Sequence, residues 1–344
     1  MSNTLQALLL PFRQGLVPPP QPGRGFFLRA EAGAVLDEAW RRALVCEQSF
    51  KPTYENLLSF GFHVKHELPG GSFDVGSFDV GLCLMTKHKA ENLANLGRGW
   101  LALRPGGILV CAGANNIGAD SVERALASVV GAVGSKSKYH CRVFWAERTA
   151  DIPPTLAGWV ETGRLQLVPE TGCQSRPGLY NWNKVDDGSA LLLEHLPNDL
   201  SGRVADLGAG WGYLSLRLLE RTNRIAKLDL FEAEWLALEA ARANLDRFRD
   251  SVEIGFHWHD VAAGIPSRAF DAIIMNPPFH SGKAADLNLG RSFINAAAQG
   301  LVPGGRLILV ANRNLPYESL IEANFRSFRT LVETGSYKVI LAKA

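Results

Sequence analysis

The chain has little of what secreted, membrane-spanning or zinc-stabilised proteins need. Its five cysteines are odd in number and form no CxxC pair, which argues against a disulfide framework and against a zinc site. No apolar run reaches the roughly 18 residues of a membrane-spanning helix, and the first residues lack the basic region and the cleavage pattern of a secretory signal. These absences predict a soluble cytoplasmic protein with reduced thiols and no membrane partner.

An excess of charge of one sign is also missing. The 36 lysines and arginines nearly balance the 34 aspartates and glutamates, which leaves a formal net charge of +2. A protein that binds nucleic acid by charge alone would be more basic. A nucleic-acid partner would therefore be held by local patches and by shape, and we expect its binding to depend only modestly on salt.

What the chain does have is apolar residues and length. Hydrophobic residues make up 47% of its 344 residues, so it can bury a full core, and its length predicts two domains. Prolines are concentrated in LVPPPQPGRG (16–25), which we interpret as an extended arm before the first ordered element. Beyond it, AGAVLDEAWRRALV (32–45) is typical of a helix.

Strand and helix patterns then alternate, which indicates an α/β fold with a parallel sheet. In the first half, the apolar runs FDVGLCLM (78–85) and GGILVCAG (106–113) flank a helical stretch. The second half repeats this alternation with strand-like runs in GRVADLGAG, IAKLDLFEA, VEIGFHWHD, FDAIIMNPP and GGRLILVAN. A doubly wound sheet binds its ligands beyond the carboxyl ends of its strands, so we expect the chemistry there.

The two halves echo each other at long range. LRPGGILV (103–110) matches LVPGGRLI (301–308) at an offset of 198 residues, and FDVGLCL (78–84) matches FDAIIMN (270–276) at an offset of 192. The nearly preserved spacing predicts two copies of one fold, although a PGG turn before a strand also recurs by convergence.

We place the two copies at residues 1–170 and 171–344. The first copy has no glycine-rich motif, and Leu84, Met85 and Thr86 stand where the second has Asn-Pro-Pro. We therefore expect the first copy to lack a cofactor site and to serve as a scaffold or in substrate recognition.

An acidic residue and three glycines lie between a strand and a helix in VADLGAGWGYLS: Asp206, Gly208, Gly210 and Gly212. Glycines let the backbone turn tightly and approach a ligand closely. In the dinucleotide motif G-x-G-x-x-G the third glycine comes one residue later, and a carboxylate here would repel a pyrophosphate. It would suit a ligand with a cationic amino group, such as S-adenosylmethionine. The alternative is a purely structural turn.

Acidic residues also follow the next two strands. Glu232 is our choice to accept hydrogen bonds from both hydroxyls of a ribose, because a carboxylate has two acceptor oxygens, and Asp229 is the alternative. Asp260 is placed either to accept a hydrogen bond from an adenine amino group or to cap a helix. His257 and His259 share one strand face without an evident third ligand, so we expect no metal site.

The motif IIMNPPFH ends the fourth strand of the second half. Its prolines stiffen the turn, so the Asn276 side-chain oxygen and the Pro277 carbonyl can face outward as paired acceptors. Such a pair suits a planar NH2 group, because accepting both protons directs the nitrogen lone pair toward a methyl donor and makes transfer a matter of positioning. Phe279 would stack on a base. The alternative is a Pro-Pro turn with a buried phenylalanine.

The combination of DLGAGWG and NPPFH resembles class I S-adenosylmethionine-dependent methyltransferases that modify amino groups. The stretches RPGLYNWNKVDDGSALLLEHLP (176–197) and LVPGGRLILVANRNLPYESLIEANF (301–325) make it similar to the bacterial ribosomal RNA guanine-N2 methyltransferases, notably the C-type enzymes that act on the small ribosomal subunit. The resemblance implies two tandem Rossmann-like methyltransferase domains with doubly wound, mostly parallel sheets. It also implies S-adenosylmethionine as cofactor and 16S ribosomal RNA of the small subunit as substrate.

The resemblance also assigns residues. The guanine would be held by Asn276, Pro277 and Phe279. The cofactor would be held by Asp206, Gly208, Gly210, Gly212, Glu232, Asp260 and Asn276. Further candidates for substrate contact, or plain surface residues, are His280, Lys283 and Arg313. A paired guanine would have to be flipped out of its helix. We expect a monomer.

Other functions fit parts of the pattern. Large-subunit guanine-N2, adenine-N6 and protein-glutamine methyltransferases present a planar NH2 group to the same kind of acceptors. A ribosome assembly factor without turnover would use the sheet as a platform, and its mark would be loss of cofactor binding. A nicotinamide dehydrogenase is disfavoured by the glycine spacing.

Overall fold

The computed structural model describes residues 2–68, 76–278 and 284–344. It divides into two compact units. The first comprises Met1–Arg164 and Arg176–Gly178, and the second comprises Leu165–Ser175 and Leu179–Ala344. Within the described ranges, none of the helices combines the length and the apolar character needed to cross a bilayer.

The described residues of the first unit form one seven-stranded sheet flanked by helices. Its strands lie in the order β3-β2-β1-β4-β5-β7-β6, and β7 is antiparallel to its neighbours. The elements are α1 (Asn3–Leu8), α2 (Leu10–Arg13), β1 (Gly25–Leu28), α3 (Glu38–Ala43), β2 (Leu44–Glu47), α4 (Lys51–Ser59), β3 (His63–Lys65), β4 (Phe78–Leu84), α5 (Lys89–Ala102), β5 (Leu103–Ala114), α6 (Ala119–Val130), β6 (Gly134–Lys138), β7 (Cys141–Glu147) and α7 (Pro154–Thr162).

The second unit begins with a small hairpin and continues with the same alternation. Its main sheet has the order β12-β11-β10-β13-β14-β16-β15. The elements are β8 (Gln166–Val168), β9 (Cys173–Ser175), α8 (Asp187–Glu194), β10 (Gly202–Leu207), α9 (Tyr213–Arg221), β11 (Ile225–Glu232), α10 (Trp235–Leu245), β12 (Glu253–Trp258), β13 (Phe270–Met275), α11 (Ala284–Gly300), β14 (Leu301–Asn312), α12 (Glu318–Asn324), β15 (Ser327–Glu333) and β16 (Tyr337–Lys343).

The two sheets have the same strand order, element for element. The match extends to register: β4 and β5 join at Phe78 and Leu103, β13 and β14 join at Phe270 and Leu301, and in both pairs the register shifts directly afterwards. The prediction of two tandem copies of one doubly wound, mostly parallel fold is therefore confirmed.

The prediction of an extended arm before the first ordered element is wrong. Residues ahead of the proline-rich segment form α1, whose N-cap Ser2 accepts a hydrogen bond from the Leu5 amide. Leu5 and Leu8 are fully buried, and α1 packs against β5 and β7. The apolar face of this short helix is part of the first core, and the prolines follow it as a connection to β1.

The helix predicted over residues 32–45 is shorter than expected. It covers only Glu38–Ala43, because Asp37 caps its first turn by accepting hydrogen bonds from the amides of Ala39 and Trp40. The residues that follow pair with β1 as strand β2. Their apolar side chains fill the sheet core rather than a helix face.

Parallel strands place their carboxyl ends at one edge of the second sheet, and helices cover both of its faces. Val204 and Leu228 pack toward α8, α9 and α10, whereas Ala205 and Leu207 pack toward α11. The sequence-predicted polar residues follow β10, β11, β12 and β13, so the fold gathers them along this edge.

Candidate functional site

The glycine turn between β10 and α9 needs all three of its glycines. Gly208, Gly210 and Gly212 have φ angles of 72°, 55° and 84°, in the left-handed region that side chains disfavour. A Cβ atom on Gly212 would lie 3.0 Å from the Cβ of Ala241, whereas one on Gly210 would meet no described atom within 4 Å. Gly210 therefore presents bare backbone to open space, as a ligand-binding turn requires.

Glu232 holds this turn from the end of β11. Its Oε2 accepts a hydrogen bond from the Gly210 amide at 2.8 Å, and its Oε1 accepts one from the Glu234 amide at 2.7 Å. Burial raises the pKa of Glu232, and the two amides oppose that shift because they favour the ionised form. Each oxygen keeps a second lone pair, which leaves acceptors for a ribose diol.

Asp229, the alternative to Glu232, faces the other side of the sheet. It is buried, and its Oδ1 lies 2.7 Å from His257 Nε2. The His257 ring in turn stacks on Phe231 with 4.5 Å between centroids. Successive strand residues point to opposite faces, so the side chains of Asp229 and Glu232 lie on opposite faces of the sheet. Glu232 is the one that contacts the glycine turn, and it is therefore better placed to meet a ligand bound there.

The two histidines have partners within the fold. His259 Nε2 contacts the Gly264 carbonyl oxygen, as His257 contacts Asp229. Over residues 2–68, 76–278 and 284–344, no group of three or more His, Cys, Asp or Glu side chains is arranged to hold a metal ion.

Asp206 is fully buried at the base of the glycine turn. Its Oδ2 accepts a hydrogen bond from the Ser215 hydroxyl of α9 at 2.7 Å, while its buried Oδ1 has no hydrogen-bond partner among the described residues. Burial, reinforced by the negative charge of Glu232, raises the pKa of Asp206 to about 7. A buried acceptor without a donor is costly, and a cationic amino group would satisfy it. The residues present therefore fit S-adenosylmethionine.

Asp260 follows β12 and caps a short 3-10 helix, Val261–Ala263. Its Oδ1 accepts a hydrogen bond from the Ala262 amide at 2.9 Å, which is the capping alternative considered above. The carboxylate has a second oxygen, and its contact with an adenine amino group stays a prediction.

Asn276 follows β13 and has both of its amide hydrogens committed. Its Nδ2 donates to Asp186 Oδ2 at 2.7 Å and to the Ser189 hydroxyl at 2.9 Å. Because the amide nitrogen is bound to the first turn of α8, the side-chain oxygen is turned the opposite way. That is the orientation in which it can accept a hydrogen bond from a substrate amino group.

Asp186, which our sequence reasoning missed, connects several groups at this point. As the N-cap of α8 it accepts a hydrogen bond from the Ser189 amide. Its Oδ1 accepts two more, from the Tyr180 hydroxyl at 3.0 Å and from Asn181 Nδ2 at 2.9 Å. The available signal was the acidic residue three positions before Ser189, ahead of an apolar run, which is a helix N-terminus pattern.

Tyr180 stands between this carboxylate and the surface. The residue is about half-buried, and this burial together with the charge of Asp186 raises the pKa of its hydroxyl. The Tyr180 carbonyl accepts a hydrogen bond from Trp211 Nε1 of the glycine turn at 3.2 Å. The segment before α8 therefore links the glycine turn to Asn276.

The remaining sequence candidates are placed as follows. Pro277 is buried directly after Asn276. Arg313 follows β14 at the same edge, where its Nε donates to Glu333 Oε1 at 2.8 Å and its side chain is 52% exposed. Phe279, His280 and Lys283, which the sequence assigns to base stacking or substrate contact, lie outside the described residues.

Comparison with known proteins finds one matching family and several relatives. The family described as "Methyltransferase small domain" matches residues 170–341. The "Ribosomal RNA small subunit methyltransferase C" of Psychromonas ingrahamii is 31% identical over 266 residues, which cover 76% of this chain and 75% of that protein. The protein of the same description from Shewanella pealeana is 32% identical over 285 residues, 80% of each chain.

A relative that matches about half of the chain and a solved structure extend the comparison. The "Ribosomal RNA large subunit methyltransferase G" of Alcanivorax borkumensis is 37% identical over 164 residues, 47% of this chain and 42% of that one. A solved structure of the T. thermophilus "16S rRNA N2 G1207 methyltransferase (RsmC) in complex with AdoMet and Guanosine" superposes with a TM-score of 0.82 and 28% identity. The superposition covers 99% of this chain and 92% of the T. thermophilus chain.

Proposed function

Because the chain belongs to the family of bacterial ribosomal RNA small subunit methyltransferases C, we propose that it methylates the exocyclic N2 amino group of a guanine. The guanine lies in 16S ribosomal RNA of the small subunit, and S-adenosylmethionine is the methyl donor. The observation that carries this proposal is the orientation of Asn276, whose amide nitrogen is bound to Asp186 and Ser189 so that its oxygen faces away from α8.

The cofactor would lie along the edge formed by the glycine turn and the next two strand ends. Asp206 would accept a hydrogen bond from the methionine amino group, Glu232 would bind the ribose hydroxyls, and Asp260 would meet the adenine amino group. The open space beside Gly210 supports a close approach to the backbone, and Gly208 and Gly212 give the turn its shape. When bound, S-adenosylmethionine supplies an electrophilic methyl group.

Asn276 and Pro277 would hold the acceptor nitrogen. The Asn276 side-chain oxygen and the Pro277 carbonyl would each accept one hydrogen of the guanine NH2 group, which aims the nitrogen lone pair at the methyl carbon. A carbon–nitrogen bond forms while the sulfur–carbon bond breaks, and the proton that the nitrogen loses passes to water. Neither acceptor is a strong base, so the rate enhancement comes from positioning.

We assign no cofactor to the first unit. Leu28 pairs with Cys83 as Leu207 pairs with Met275, so Arg29 occupies the position that Gly208 has in the second copy. Arg29 keeps a left-handed φ of 52°. Its guanidinium donates to Glu91 and to Ser49, and thus fills the corresponding edge with an ion pair. We take this unit as a scaffold or a substrate-recognition domain.

We further propose that the protein works as a cytoplasmic monomer. In the described ranges each unit completes its own sheet and core, so neither needs a second chain to bury its apolar faces. Sedimentation at the concentration of the activity assay tests this.

The decisive experiment offers tritiated S-adenosylmethionine to the purified protein with five acceptors: undermethylated small subunits, large subunits, the two naked RNAs and bulk cell protein. Asn276→Ala runs in parallel, with Asn324→Ala as a control, because Asn324 is an exposed asparagine whose side-chain amide donates to the Leu320 carbonyl of its own helix α12. We expect label in small-subunit RNA that digests to N2-methylguanosine and disappears in Asn276→Ala alone.

Other outcomes would redirect the proposal. Label on large-subunit RNA would keep the reaction and move the target, as in the 37% identical relative named as a large-subunit methyltransferase. Label on adenine or on protein would replace guanine with another planar amino group. Absence of cofactor binding would favour a non-catalytic ribosome assembly factor.

A further inference from the structure

Five exposed lysines of the first unit have no acidic partner among the described residues, and four of them lie near the carboxyl ends of β4 and β6. Most exposed arginines of this unit form ion pairs, as Arg42 does with Glu38. In contrast, none of these four lysines forms an ion pair with any residue in the described part of the chain: Lys87, Lys89, Lys136 and Lys138. We call these four residues the lysine edge.

The topology brings the lysine edge together. Lys87 and Lys89 follow the carboxyl end of β4, and Lys138 ends β6. Between them lie β5 and β7, and the Asn115 amide after β5 donates to the His140 carbonyl in the turn before β7 at 3.0 Å. Lys136 lies two residues before Lys138 within β6. Neighbouring strands are about 4.8 Å apart, so the carboxyl ends of β4 and β6, near which the two pairs of lysines lie, are roughly 15 Å apart along one edge.

The acidic side chains of the neighbouring helices are already neutralised. Glu91 of α5 is buried against Arg29. On α6, Asp120 pairs with Arg124 and Glu123 pairs with Arg142. The positive potential of the lysine edge is therefore not cancelled by the acids of α5 and α6.

The turn at this edge differs from its counterpart in the second copy. Tyr139 and His140 both have a φ of 58°, a left-handed conformation that side chains rarely adopt. The corresponding turn between β15 and β16 contains Gly335 instead. Lys138 Nζ lies 5.1 Å from the centroid of the Tyr139 ring. The first copy thus presents a basic and aromatic turn where the second presents a small one.

We propose that the lysine edge is a docking surface for the phosphate backbone of RNA. Lysine ammonium groups neutralise phosphates without reading the base sequence, so they suit a chain whose specificity resides elsewhere. That this RNA is the methylated ribosomal RNA rests on the function proposed above. Four cations would give the modest salt dependence that the nearly neutral composition predicts.

The test compares two variants with the same change in charge. Lys87→Gln, Lys89→Gln and Lys138→Gln are combined in one variant of the full chain. The control combines Arg24→Gln, Arg42→Gln and Arg104→Gln, because these exposed arginines lie next to the amino ends of β1, β2 and β5, at the opposite edge of the sheet. Thermal unfolding confirms that both variants are folded.

Binding of unmethylated 16S ribosomal RNA transcript is measured between about 50 and 200 mM salt. Each phosphate contact contributes about 0.7 to 0.9 to the slope of log K against log salt. The lysine variant loses three contacts, so its slope should be lower by about 2, and near 0.1 M salt it should bind about a hundredfold more weakly than the wild type. Its affinity for S-adenosylmethionine should be unchanged, and its loss of methylation should appear in KM rather than in kcat.

Equal effects of the two variants would overturn the proposal, as would competition by polyglutamate as strong as that by RNA of equal charge. The RNA-binding measurement does not require methyl transfer. If the wild-type protein binds RNA through the lysine edge but methylates nothing, the proposed function fails and this inference stands. If the wild-type protein methylates RNA and the lysine variant binds RNA normally, the proposed function stands and this inference fails.

Discussion

Asn276 Nδ2 lies 2.7 Å from Asp186 Oδ2, although 90 residues separate the two side chains in sequence. The same carboxylate accepts hydrogen bonds from Tyr180, Asn181 and the Ser189 amide. Asp186 thus fixes the rotation of the Asn276 amide from a position that already caps α8. This makes it a positioning residue for the proposed transfer.

Replacing Asp186 with alanine should lower kcat about 10-fold to 100-fold, because a small misplacement of a positioning group has effects of that size. The affinity for S-adenosylmethionine should change little. Loss of the N-cap should also lower the free energy of unfolding by about 1 kcal/mol. Single-turnover kinetics and calorimetry measure the first two quantities.

The matched control is Asp187→Ala, since Asp187 is the exposed neighbour in the first turn of α8. An unchanged kcat in Asp186→Ala would contradict the positioning role. A loss of kcat that urea unfolding explains entirely by a lower folded fraction would also contradict it.

Glu232→Gln should weaken S-adenosylmethionine binding about tenfold, the effect of losing roughly 1.4 kcal/mol of interaction with a hydroxyl. Glutamine has only one acceptor oxygen, so it should keep the hydrogen bond from the Glu234 amide and lose the one from the Gly210 amide. The first copy has Gln48 at the equivalent place. There Gln48 Oε1 still accepts a hydrogen bond from the Phe50 amide at 3.0 Å, as Glu232 does from Glu234.

Isothermal titration measures this affinity, with Glu239→Gln as the control from an exposed position on α10. If both variants bind the cofactor as the wild type does, Glu232 does not contact the ribose. Comparable weakening in both would indicate a general charge effect.

Asp206 should couple cofactor binding to a proton. Its pKa is raised to about 7, so near neutral pH a substantial fraction of the free protein carries a protonated Asp206. A cationic amino group favours the ionised form, so binding should release a proton and should tighten as the pH rises from about 6 to 8. Titration in buffers of different ionisation enthalpy counts the released protons.

The raised pKa of Asp206 also makes the stability of the folded state depend on pH. Asp206 binds its proton more tightly in the folded state than in the unfolded state, so its contribution to stability is lost as the pH rises from about 4 to 7. Asp206→Asn should abolish both pH dependences. Proton release that persists in this variant would assign the titration to another group.

The strands and their duplication could be predicted because the central strands of both copies are short apolar runs at nearly constant spacing in the sequence. The pairing of Asp186 with Asn276 could not, because nothing local connects an N-cap with a strand end 90 residues away. The arm over residues 16–25 was mispredicted because its prolines are conspicuous. The helical spacing of Leu5 and Leu8 ahead of them is only one turn long.

Long-range contacts of the first copy could not be predicted from local sequence patterns either. Its lack of a glycine-rich motif is visible in the sequence, but the replacement of Gly208 by Arg29 is apparent only from the shared strand register. The ion pair that Arg29 forms with Glu91 spans 62 residues. Long-range charge pairs of this kind have no periodic signature.

A second long-range pair in the first unit, Glu47 with Arg98, should contribute strongly to stability. Glu47 is 6% exposed, and it accepts hydrogen bonds from Arg98 and from the Leu68 amide at 2.7 Å. Burial alone would raise the pKa of Glu47, but the charge and hydrogen bonds of Arg98 outweigh it and hold the pKa below its usual range. This stabilisation should therefore be present at neutral pH and lost as the pH falls through the lowered pKa.

Glu47→Gln should lower the free energy of unfolding by about 3 kcal/mol, because it leaves a buried guanidinium without its counter-charge. Combining it with Arg98→Met should restore part of that loss, since a buried pair replaced by apolar groups is often neutral. Urea unfolding at about pH 7 measures both, with Glu38→Gln as the exposed control. A double variant no more stable than the single one would show that Arg98 is not what Glu47 neutralises.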